Sequence, residues 1–142
     1  MIIDKSNSEL INSRKINLHD DILESVVFSR EEKEMQLNFL KYPNNLEHSE
    51  CSNKYTMLFK GVIGFSMTSC DFWGASECLF DFEYVLPTER ILIPDMKKIW
   101  SVTPNAPDDI SYEDYMEVLF TFSSGDYLRI ACKTIDVLSI HS

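Results

Sequence analysis

Between Lys54 and Gly74 the chain reads KYTMLFKGVIGFSMTSCDFWG, and the alternation inside this stretch constrains the fold more than any other feature. Tyr55, Met57, Phe59, Gly61, Ile63, Phe65 and Met67 hold the odd positions, with Thr56, Lys60, Ser66 and Thr68 between them. Side chains in a strand point alternately to its two faces, so this parity sets one apolar row against a core. A straight strand of that length would exceed the usual range, which marks Gly61 or Gly64 as a bend or bulge. The stretch closes on Cys70-Asp71-Phe72-Trp73-Gly74, two large aromatics beside a carboxylate at a turn.

The same period of two recurs along the chain. Val26 and Phe28 face inward at even positions, and Met35, Leu37 and Phe39 at odd positions after the charged turn Arg30-Glu31-Glu32-Lys33. Pairing even with odd on one face requires an even loop. No Gly or Asn supplies the positive φ of a two-residue turn, so a four-residue loop is expected. Cys78, Phe80, Phe82, Tyr84 and Leu86 alternate with Asp81 and Glu83 up to Pro87, the clearest half-buried strand in the sequence. Val118, Phe120 and Phe122 pair with Leu128, Ile130 and Cys132 across an odd loop, so three residues with Gly125 in the left-handed region fit. A parity shift to Ile135 and Val137 implies a bulge near Lys133 or Thr134.

Other segments are less regular. Residues 1–17 read as a short edge strand or a loosely ordered lead-in. Asp21 and Glu24 have capping-box spacing, compatible with one helical turn. Residues 42–53 form a surface connection. Glu89–Pro94 reads as a short strand, Met96–Val102 as a strand or a single helical turn, and the acidic segment after Thr103 as a loop. The expectation is a mainly β, single antiparallel domain over residues 1–142. It has about seven to eight strands in a curled sheet or small sandwich or barrel, with little helix.

A net charge of −10 disfavours nucleic acid as a direct partner, because phosphate contacts need a basic surface. The same charge suits a basic protein partner or serves solubility alone. The N-terminus has no apolar signal-like run, and no segment reaches membrane-spanning length. The 4 cysteines lack close pairs and read as reduced thiols, so a cytoplasmic protein is expected.

Candidate chemistry is thin. His48 and Cys51 have the spacing of half a zinc site, but Cys78 and Cys132 sit in the apolar register of strands, so no metal is expected. His19 beside Asp20 could serve as a base for a Cys70 thiol, although no local signature accompanies them, and a structural His19 is the simpler reading. Asp71, if buried beside Phe72 and Trp73, would have the raised pKa of an acid catalyst; the plainer reading is a carboxylate capping a turn. Asp-Phe-Trp-Gly lacks the companion motifs of a kinase, and no phosphate-cradling glycine loop is present. Neither an enzyme nor a cofactor is expected. A binding surface has more support: Trp73, Trp100, Tyr112 and Tyr115 fall on expected turns and loops, rimmed by Asp71, Glu77, Asp95, Asp108, Asp109, Glu113 and Asp114, with burial of the two tryptophans in the core as the plainer alternative.

Leu18-His19-Asp20, Phe59-Lys60-Gly61-Val62 before Cys70-Asp71-Phe72-Trp73-Gly74, and Ser123-Ser124-Gly125-Asp126 with Ile130-Ala131-Cys132 form a further set. Together, over residues 18–138, they resemble small uncharacterised bacterial β-domain proteins that themselves resemble immunity proteins of polymorphic toxin systems. That resemblance implies a non-catalytic cytoplasmic inhibitor that occludes a toxin domain. The alternative is a small-molecule-binding or enzymatic β-barrel with a site near Asp71. A self-associating domain that uses unpaired sheet edges is a third class. The sequence leaves the oligomeric state open.

Overall fold

The computed structural model describes residues 1–13, 16, 18–41, 54–68, 77–104 and 110–140. The first half of the chain supplies β1 (Ile2–Ile3), α1 (Glu9–Asn12), β2 (Ile22–Ser29), β3 (Glu34–Leu40), β4 (Lys54–Lys60) and β5 (Gly64–Met67). The second supplies β6 (Glu77–Tyr84), α2 (Leu92–Ser101), β7 (Met116–Phe122), β8 (Tyr127–Cys132) and β9 (Thr134–Ile140). All strand pairs are antiparallel, in the order β1-β9-β4-β3-β2-β6-β7-β8-β5. The result is a mainly β fold, one curled and unclosed sheet. It has nine strands among the described residues rather than seven to eight, because a short β1 pairs with β9 and the central stretch is cut in two.

The cut falls at Gly61, whose φ of +65° is costly for any residue with a Cβ. Opposite it, the Lys133 amide donates to the Lys60 carbonyl at 3.0 Å. A Cβ on Gly61 would lie 3.1 Å from that of Lys133. Before this corner β4 pairs with β9; after it β5 pairs with β8. Two neighbouring strands thus turn together from one half of the sheet into the other. The parity shift expected as a bulge near Lys133 is this corner, with Cys132 and Ile135 both buried on either side. The odd row likewise breaks. Tyr55, Met57 and Phe59 are buried inside, whereas Ile63 packs on the outer face and Phe65 and Met67 reach the free edge about 40% exposed.

Folding the halves together encloses one core centred on Phe120. Its ring stacks on Phe82 at 4.4 Å and meets Phe39 and Phe59 from the other half, each at 5.9 Å. Such ring pairs add to the area they bury. Both hairpins have the expected loops. Residues 30–33 join β2 to β3 with Lys33 at positive φ. Ser123, Ser124 and Gly125 join the Phe122–Asp126 pair, with Gly125 at φ +93° and its amide bonded to the Phe122 carbonyl.

Four expectations are corrected or narrowed. Register in β6 slips between Leu79 and Asp81, so Leu79 is buried where Cys78 was expected; Phe82 then resumes the inward row, while the Phe80 side chain lies outside the description. Leu86 has left the strand and is exposed. Asp21 and Glu24 make no helical turn: β2 begins at Ile22, and Asp21 is buried to accept the Tyr55 hydroxyl at 2.6 Å. Of the two readings of the N-terminal segment the structure has the short edge strand, β1, with Ile3 and Ile11 in the core and Asn12 bonding the Tyr84 backbone in both directions. Finally, the short strand expected at Glu89–Pro94 gives way to the start of α2, and Met96–Val102, read as a strand or a single helical turn, continues that helix to Ser101. Pro94 misleads there, because proline is tolerated in the first turn of a helix.

Candidate functional site

Helix α2 lies on the outer face of β5 and β8, opposite the core. Ile93, Met96 and Trp100 are spaced to share one helical face and pack with Ile63 and Ala131. Small residues beneath make this possible. Gly64 pairs with Ala131 across β5 and β8, and a Cβ on Gly64 would meet the Met96 sulfur at 2.4 Å.

The helix has no side-chain cap of its own at Ile91. Glu117, fully buried on β7, does that work from outside: the Ile91 and Ile93 amides donate to its two carboxylate oxygens at 3.0 and 2.9 Å. A negative charge at a helix N-terminus also complements the macrodipole. Arg129, mostly buried on β8, donates from Nη1 to the same carboxylate at 2.9 Å. Three donors, one of them cationic, make the buried carboxylate tolerable.

Around the far end of α2 the structure gathers five residues expected to bind. Trp100 is half-buried on the helix rather than on a loop, and its ring lies 5.9 Å from Tyr112. Tyr112 to Asp114 form a 3-10 turn, with Glu113 and Asp114 exposed and Tyr115, next in sequence, half-buried. The rim is not purely acidic. Lys97 and Lys133 stand over the Tyr112 and Tyr115 rings at 5.6 and 5.2 Å, and Lys5 donates to the Glu113 carbonyl. Asp71, Trp73, Asp108 and Asp109, with His48, Cys51 and Cys70, lie outside the described residues.

The solvent side of α2 is mixed. Asp95, Lys97 and Lys98 are exposed on it, and so are three large apolar residues, Ile99 on the helix and Ile91 and Val102 at its two ends, which are 59, 52 and 81% exposed. At the helix N-terminus an open pocket of about 380 Å³ lies between Ile91, Leu92 and Asp95 above and Leu119, Tyr127 and Arg129 below, with Ser66 at one side. Asp95 belongs to the expected acidic rim, whereas Glu117, Arg129 and Tyr127 were not expected at a site. The available signal was in the small residues: Gly64 and Ala131 point outward from otherwise bulky strands, as the floor beneath a packed helix requires.

Elsewhere, His19 Nδ1 lies 3.1 Å from Asp20 Oδ2 at the surface. Burial, with the Asp21 carboxylate beside it, pushes the Tyr55 phenol far above its ordinary pKa. Among the described residues no cluster of three or more His, Cys, Asp or Glu could hold a metal ion, and no helix is long and apolar enough to cross a membrane. Comparison of the chain with protein-family models, curated proteins and solved structures found no match.

Proposed function

We propose that this chain is a non-catalytic protein-binding domain whose contact face is the α2 layer, of the immunity type in which a small domain occludes a basic toxin domain. One observation carries the reading: Ile99 on α2, with Ile91 and Val102 at its ends, is turned to solvent although the other face of the helix is already satisfied by the sheet. Exposed apolar residues grouped beside half-buried aromatics are the composition of a protein contact centre. Glu113 and Asp114 at the rim, in a chain of net charge −10, favour encounter with a basic surface.

The test is capture of partners from the source cell by the tagged chain, beside an Ile99→Asp/Trp100→Ala variant of unchanged circular dichroism. One dominant basic protein held by the wild type and released by the variant is expected. The absence of any partner, including the product of an adjacent toxin-like gene, contradicts the reading; so does a partner held equally by both. A second reading, a small-molecule-binding domain, draws on the pocket at the start of α2, and in that case a metabolite rather than a protein would co-purify.

A further inference from the structure

We infer that the pocket at the N-terminus of α2 receives the extended side chain of a lysine or arginine from a protein partner, with Asp95 and Glu83 supplying the countercharge. The inference rests on the protein-binding reading and gives that face its specificity contact.

The floor follows from strand register. Glu83 on β6 pairs with Leu119 on β7, Leu119 with Arg129 on β8, and Arg129 with Ser66 on β5, so these four form one row on the outer face. The N-terminal turn of α2 stands over this row with Ile91, Leu92 and Asp95. Leu119, Ile91 and Leu92 offer apolar surface of the kind the methylene stem of a long basic residue covers. Ser66 Oγ and Tyr127 Oη lie 3.4 Å apart and present oxygens that can accept from an ammonium or guanidinium group.

The charges choose the sign of the ligand. Arg129 is already matched by Glu117 at 2.9 Å, so the pair is close to neutral. The two α2 amides that would otherwise attract an anion are also bound to Glu117, which removes the usual anion-binding property of a helix start. What remains is Asp95 in the pocket and Glu83 beyond Leu119, neither of which takes a side-chain hydrogen bond or ion pair from a described residue. Partial burial is the first cause of the raised Glu83 pKa; the neighbouring carboxylates of Asp81 and Glu89 push the same way against Arg129 and add negative charge at this end of the row. A cation offsets that charge, and an anion would add to it.

The experiment titrates the isotope-labelled full chain, by NMR, with the blocked amides of lysine and arginine. Blocked norleucine, which has the stem without the charge, and blocked glutamate are run in parallel. Expected are saturable shifts at Ser66, Asp95, Tyr127 and Arg129, with affinity about tenfold weaker for norleucine and no site-specific response to glutamate. An Asp95→Asn/Glu83→Gln variant, both positions being exposed, should lose the lysine response while keeping the circular dichroism and the dispersed spectrum of the folded chain. Equal binding of norleucine, preferential binding of glutamate, or no shifts at these residues would overturn the inference. The two readings fail separately. A partner released by Ile99→Asp/Trp100→Ala but held undiminished by Asp95→Asn/Glu83→Gln would leave the protein-binding face standing and remove the basic side chain from the pocket.

Discussion

Strands β7 and β8 are covered on both faces, fully on the inner and partly on the outer, and the two faces are held in different ways. On the inner face Val118, Phe120, Phe122, Leu128 and Ile130 interlock with residues from the other half of the sheet. On the outer face a few contacts hold one ten-residue helix: Ile93 and Met96 over Ala131, and Glu117 at the helix start. Inner-face binding is apolar, redundant and spread over strands distant in sequence, so it opens only when the domain unfolds. Outer-face binding depends on one carboxylate and one close approach over Gly64, so it can open locally. The difference places the adaptable surface on α2, over a platform that does not deform.

The largest effect should come from Phe120→Ala, which empties the hub contacted by Phe39, Phe59 and Phe82. A loss of about 3–5 kcal/mol in urea unfolding, affecting both faces together, is expected. Glu117→Ala should cost about 3 kcal/mol, because it strips two helix amides and leaves Arg129 as an uncompensated charge. Here the loss is seen first in α2, and Trp100 fluorescence should report it before the core responds.

Gly64→Ala brings a methyl group against the movable end of Met96, and about 1 kcal/mol is expected. Combined with Met96→Ala in a double-mutant cycle, it should cost much less, since the clash partner is gone. Additivity would show that the helix is not seated through this contact.

The smallest effect concerns pH. Glu83 has a pKa raised above its ordinary 4.5 in the folded chain, through burial and then the charges of Asp81 and Glu89. In that window the folded state holds more protons than the unfolded one, so this stabilising contribution is full below 4.5 and is lost as pH rises through the folded value. Glu83→Gln should therefore gain on the wild type as pH is raised from about 4 to 7, measured as unfolding midpoints. A variant that loses ground to the wild type over this range would contradict this assignment.

The inner face was legible because alternation reports it directly. Tyr55, Met57 and Phe59 follow from parity, and both hairpin loops from parity together with which turn residues are present. Gly61 was legible as a bend, but the sequence could not say that the bend is shared with Lys133, since the partner lies 72 residues away and only pairing reveals it. The outer face was not legible for a related reason. Ile93, Met96 and Trp100 form a helical stripe, but Pro94 interrupts it and the apolar run ILIP imitates a strand. The cap that makes the helix start at Leu92 is Glu117, which no local motif can supply. Of the expected binding residues, Trp100, Tyr112, Glu113, Asp114 and Tyr115 were legible as a set because aromatics amid acidic residues stand out. Their convergence on α2 depends on tertiary contact.

Native-state hydrogen exchange on the wild type and on Glu117→Ala tests the two-layer account most directly. Amides of Phe59, Phe120 and Ile130 should exchange only with global unfolding, while those in the body of α2 exchange through a lower-energy opening that Glu117→Ala lowers further. Equal protection of α2 and the core, or a uniform loss across both in the variant, would contradict it.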